Sequence, residues 1–132
     1  MTSKVVNFEI VFFTENSRKL LKLVKQLELE EFVSIRAPIY EKQEYHRMLM
    51  NAGLLLSLNY NTPHCIPGKL YEYLAINGSV LHLDNFDVAS EITSLYSNAT
   101  TITIDNIDKI KEYMIQHYAR KYSRTNLNND SL

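Results

Sequence analysis

Residues 54–83 read LLLSLNYNTPHCIPGKLYEYLAINGSVLHL, and this stretch decides the fold. It opens with Leu54 to Leu58 (LLLSL), a near-continuous apolar run of the kind expected in a strand covered on both faces. A loop from Asn59 to Pro67 leads into helical spacing at Leu70, Tyr73 and Leu74. Gly78 closes that helix, and Ser79 to Leu83 (SVLHL) forms the next strand. A strand, a helix and a second strand in this order predict parallel strands joined by a right-handed crossover.

The pattern extends in both directions. Upstream, Val5 to Phe13 (VVNFEIVFF) reads as a strand, and Ser17 offers an N-cap to a helix carrying Leu20, Leu23, Val24 and Leu27. Phe32 to Ile35 is a short strand stopped by Pro38. Tyr45, Met48, Leu49 and Ala52 repeat the helical spacing, with Gly53 at the C′ position that favours a left-handed conformation. Downstream come a helix at Val88, Ile92 and Leu95, a strand at Thr101 to Ile104, and a last helix at Ile107, Ile110, Met114 and Tyr118. The sequence thus predicts an α/β fold, a doubly wound parallel sheet of about five Rossmann-like strands with helices on both faces. One domain is expected over residues 1–122, with 123–132 (SRTNLNNDSL) a polar tail that frays.

Composition excludes several functions. The 132 residues are 45 % hydrophobic and 22 % charged, which sets the chain apart from disordered sequences. Fourteen Lys+Arg against fifteen Asp+Glu leave a net charge of −1, so no basic excess exists to hold nucleic acid. The only glycines, Gly53, Gly68 and Gly78, are too widely spaced for a dinucleotide fingerprint or a P-loop. Cys65 stands alone, which excludes an internal disulfide and a CxxC metal or redox pair. His82 and His117 have no partner at metal-ligand spacing, so no metal site is expected and structural roles are assigned to both. The first apolar stretch is interrupted by Asn7 and Glu9 and is too short to cross a bilayer. A reduced, cytoplasmic protein is expected.

All three glycines and all three prolines lie between Pro38 and Gly78, on the loops after the second and third strands. In doubly wound folds the ligand binds beyond the carboxyl ends of the strands. The helix after Pro67-Gly68 starts with Lys69, and Glu72 follows three residues later on the flank away from Leu70 and Leu74. Free N–H groups at such a helix start suit a diphosphate, Lys69 adds a positive charge, and a carboxylate at Glu72 can accept from both hydroxyls of a ribose. The plainer account of Lys69 and Glu72 is a solvent-exposed ion pair of little energetic weight.

The stretch Pro67-Gly68-Lys69-Leu70-Tyr71-Glu72-Tyr73-Leu74-Ala75, followed by Gly78 and Val80-Leu81, resembles the donor-site helix of retaining GT-B glycosyltransferases, group 1 or family 4-like. Ala37-Pro38-Ile39-Tyr40 and the helix with Glu44, Tyr45, Leu49 and Ala52 resemble the same family's approach to that helix. The resemblance implies the C-terminal, nucleotide-sugar-binding domain of an enzyme that moves a hexose from a nucleoside-diphosphate sugar to an acceptor, with no cofactor. It implies that Glu72 holds the ribose, that Pro67, Gly68, Lys69 and Leu70 meet the diphosphate, and that Pro38, Ile39 and Tyr40 contact the base. His64 stands where the family has the first glutamate of its Glu-x7-Glu motif, a position that contacts the transferred sugar. The family's acceptor domain, diphosphate clamp and first C-terminal strand would precede Met1, so the chain is expected to be a fragment whose full-length form admits peripheral membrane association. Removing that strand from the family's order and closing the gap predicts 2-1-3-4-5, with Val5–Phe13 paired to Leu54–Leu58.

Two other classes fit less well. A receiver domain needs an aspartate after its third strand, where this chain has Leu58-Asn59. A flavodoxin-like module needs a glycine-bearing phosphate loop after its first strand, where this chain has Thr14-Glu15-Asn16-Ser17. A non-catalytic binding or interaction module is the alternative that remains.

Overall fold

The computed structural model describes residues 8–15, 17–59, 66–76, 78–85 and 89–130, the last ten by backbone alone. Among these residues five strands alternate with five helices: β1 (Ile10–Phe13), α1 (Arg18–Gln26), β2 (Val33–Arg36), α2 (Lys42–Asn51), β3 (Leu55–Asn59), α3 (Gly68–Leu74), β4 (Val80–Asp84), α4 (Ser90–Thr93), β5 (Ala99–Thr103) and α5 (Ile107–Asp130). Every strand pair is parallel, so the fold is α/β and Rossmann-like. No described helix is long and apolar enough to cross a membrane.

β1 pairs with β2 in one sheet and β3–β4–β5 form a second, and within each sheet the neighbours are those expected. The chain divides into two compact units, residues 1–45 and 46–132, with the boundary inside α2.

In the first unit, β1 and β2 run in register from Ile10↔Val33 to Phe13↔Arg36. Val24 of α1 is buried, and Phe8 stacks on Phe32 with ring centroids 5.7 Å apart. Glu9 accepts from Ser34 (2.9 Å) and pairs with Arg36 (3.3 Å), both on one face of β2. Ser17 precedes α1 but its side chain makes no capping bond. The left-handed residue after α1 is Glu28 (φ 55°), whereas Gly53 after α2 has no positive φ. Residues 5–7 of the expected first strand lie outside the described residues.

In the second unit the registers Leu55↔Val80↔Ala99 through Asn59↔Asp84↔Thr103 put Leu55, Ser57, Asn59, Val80, His82, Asp84, Thr101 and Thr103 on one face. α4 lies on that face, because Thr93 Oγ1 and Thr101 Oγ1 are 2.6 Å apart. The β3–α3–β4 crossover steps in the same direction as β4–α4–β5, so its right-handedness places α3 there too. Leu70 and Leu74 of α3 are buried. α5 covers the other face: the Tyr113 hydroxyl bonds Thr100, and His117 Nε2 lies 2.9 Å from the Gly53 carbonyl. On β3 the face carrying Leu55, Ser57 and Asn59 is buried, while on the other Leu56 is half-buried and Leu58 is 48 % exposed. α5 runs through residues 123–130, with no glycine or proline to interrupt it.

Candidate functional site

The expected donor-site residues fall in both units. Pro38, Ile39 and Tyr40 belong to residues 1–45; Pro67, Gly68, Lys69, Leu70 and Glu72 belong to residues 46–132.

In the second unit, α3 starts after Pro67, which takes the N-cap with φ −56° and ψ 133° and leaves Gly68 as the first helical residue. The chain enters extended because proline fixes φ and the cap residue lies outside the helix. A Cβ built on Gly68 meets no described residue within 4 Å. The side chains of Lys69, Tyr71 and Glu72 are exposed, while Leu70 and Leu74 are buried. The helix thus divides the motif into a core stripe and an outward flank, as its spacing requires. Leu70 is 0 % exposed, and its amide donates to the Pro67 carbonyl at 3.0 Å. No salt bridge joins Lys69 to Glu72 among those between described residues. His64 lies outside the described residues, as do Tyr60 and Cys65.

In the first unit, Pro38 and Ile39 are half-buried and Tyr40 is 76 % exposed. The Tyr40 hydroxyl donates to the Glu15 carboxylate, which joins the loop after β2 to the loop after β1. That bond, with smaller contributions from desolvation and from the nearby charge, raises the Tyr40 pKa above its ordinary value. Glu41 caps α2, accepting from the amides of Gln43 (3.0 Å) and Glu44 (2.7 Å). The sequence reading named neither Glu15 as a partner of Tyr40 nor Glu41 as a cap.

A polar network lies beneath these elements in the second unit. His82 Nδ1 is 2.9 Å from Ser57 Oγ, and His82 Nε2 is 3.0 Å from Asp84 Oδ2. All three residues are buried. Ser57 and His82 are register partners on β3 and β4, and Asp84 follows His82 by two on the same face. The order serine, histidine, aspartate matches a nucleophile relay, but a reagent cannot reach a buried hydroxyl. The network instead satisfies its own polar groups: no buried side-chain nitrogen or oxygen among the described residues lacks a partner. Among the described residues no group of three metal-capable side chains converges.

No family model, no curated protein and no solved structure matches the chain.

Proposed function

We propose that this chain is the nucleotide-sugar-binding domain of a glycosyltransferase that moves a sugar from a nucleoside-diphosphate donor to an acceptor. The observation that carries the reading is the start of α3: a Gly68 that no described residue crowds, with Lys69 and Glu72 exposed on a helix whose Leu70 and Leu74 are core. Gly68 and Lys69 meet the diphosphate, the first through its backbone and the second through its charge. Glu72 takes the ribose hydroxyls, and His64 contacts the sugar. Such a domain supplies donor binding and orientation; transfer also needs an acceptor wall that excludes water, so residues 1–132 alone are expected to show no turnover.

The test is a titration of nucleoside, nucleoside diphosphate and nucleotide-sugar, followed by ligand-observed NMR, which detects millimolar binding. Glu72→Gln keeps the shape and removes the charge. Hydrogen bonds to a charged acceptor contribute about 1.5–3 kcal/mol, so all three ligands should weaken by about ten- to hundredfold. Lys69→Ala should weaken the diphosphate more than the bare nucleoside. If Glu72→Gln binds all three as the wild type does, the site is wrong.

A further inference from the structure

Within residues 1–45, α1 and the turn after it sort their charges by sign. Arg18, Lys19, Lys22 and Lys25 are the charged residues of α1, which holds no acid, and Glu28, Glu30 and Glu31 follow before β2 begins. All seven are exposed, and none belongs to an ion pair among the described residues. Arg18 and Lys22, Lys19 and Lys22, and Lys22 and Lys25 are like charges at i,i+4 or i,i+3, an arrangement that weakly destabilises a helix standing in water.

An apolar strip separates the two signs. Lys19, Leu23 and Leu27 follow at i, i+4, i+8 along one side of the helix, with Lys22 beside Lys19. Leu23 is 49 % and Leu27 56 % exposed, while Val24 is the buried residue of α1. The turn ties Phe32 to the same end of the helix. The amides of Phe32 and Val33 donate to the Leu29 carbonyl (2.9 and 3.0 Å), and the Leu29 amide donates to the Val24 carbonyl (2.9 Å). Phe8, stacked on Phe32, is exposed with it. Apolar surface gathered in this way and rimmed by charge marks a protein contact.

The pattern of sign selects the occupant. An anionic surface that suited the lysines would be repelled by the three glutamates, and a cationic one by the lysines. A second copy of the chain suits both. Two-fold symmetry can lay α1 antiparallel to the α1 of a partner, and a crossing at Leu23 and Leu27 then sets the basic start of each helix against the acidic turn of the other. We propose that this face is an isologous homodimer contact, with Leu23 and Leu27 at its centre and Lys19 and Lys22 facing the partner's Glu30 and the partner's Glu31. The contact uses none of the residues assigned to the nucleotide-sugar donor.

The experiment is sedimentation velocity on the full chain from micromolar to sub-millimolar concentration. A species of 15.4 kDa should give way to one of twice that mass. Lys19→Glu/Lys22→Glu should raise the dissociation constant by at least about tenfold, because like charges then meet at both ends of the contact. Glu30→Lys/Glu31→Lys should do the same. An equimolar mixture of the two variants should restore the dimer, since each reversed patch then meets its opposite. Leu23→Ser/Leu27→Ser should also dissociate it, with no rescue by mixing. These side chains are exposed, so the circular dichroism of each variant should match the wild type. A wild type that stays monomeric, or that grows beyond two copies, overturns the proposal. So does a dimer that survives either charge reversal, or a mixture of the two variants that stays monomeric. If a monomeric wild type instead binds vesicles of anionic lipid through Lys19 and Lys22, the face belongs to a membrane and the dimer falls.

Discussion

Replacing His82 by alanine should be among the most destabilising single changes in the second unit. The imidazole bridges Ser57 Oγ and Asp84 Oδ2 with no access to water. Its removal takes one hydrogen bond each from a buried hydroxyl and from a carboxylate that is 2 % exposed. Leaving a buried polar group short of a hydrogen bond costs about 1–3 kcal/mol, and the space left by the ring adds a cavity term. Small domains have a total stability of about 5–15 kcal/mol, so the change takes a large share of it. With a urea slope of about 1.5 kcal/mol/M, a loss of about 4 kcal/mol moves the midpoint down by roughly 2.5 M. Equilibrium unfolding in urea, followed by circular dichroism, measures it. Asp84→Asn keeps an acceptor for the ring and removes the charge, so His82→Ala should cost less in an Asp84→Asn background than in the wild type. A His82→Ala midpoint within about 0.3 M of wild type, or the same cost in both backgrounds, refutes the reasoning.

Leu70→Ala should lose about 2–5 kcal/mol in the same assay, because Leu70 is a fully buried core residue of α3. Arg36→Ala should change stability by less than about 1 kcal/mol, since its pair with Glu9 is exposed on both sides. Burial raises the Tyr113 pKa, with Arg120 and the Thr100 bond opposing. Above pH about 10 the unfolded chain therefore gives up this proton first. The stabilisation is complete below that pH and is lost as pH rises through the higher folded value. Urea midpoints taken from pH 8 to 11 should fall less steeply for Tyr113→Phe than for wild type; equal slopes would count against it. Tyr40→Phe should leave the melting temperature unchanged, because its bond to Glu15 lies at an exposed edge.

The alternation of apolar runs and helical spacing by itself determined the α/β class, the five strands and the division of α3 into core and outward residues. These are local properties, set by side-chain period and turn chemistry, and they are written directly in residues such as Leu70, Leu74, Lys69 and Glu72. Tertiary structure decided which side chains meet. The exposure of Leu58 and the meeting of Glu15 with Tyr40 depend on what packs on each strand and on how the loops after β1 and β2 run. The same holds for the buried face of the second sheet. Ser57, His82 and Asp84 read as scattered polar residues in apolar strands until the register Ser57↔His82 aligns them. Polar groups can be buried at low cost only with partners in reach, and those partners come from another strand, where a one-residue shift would remove them.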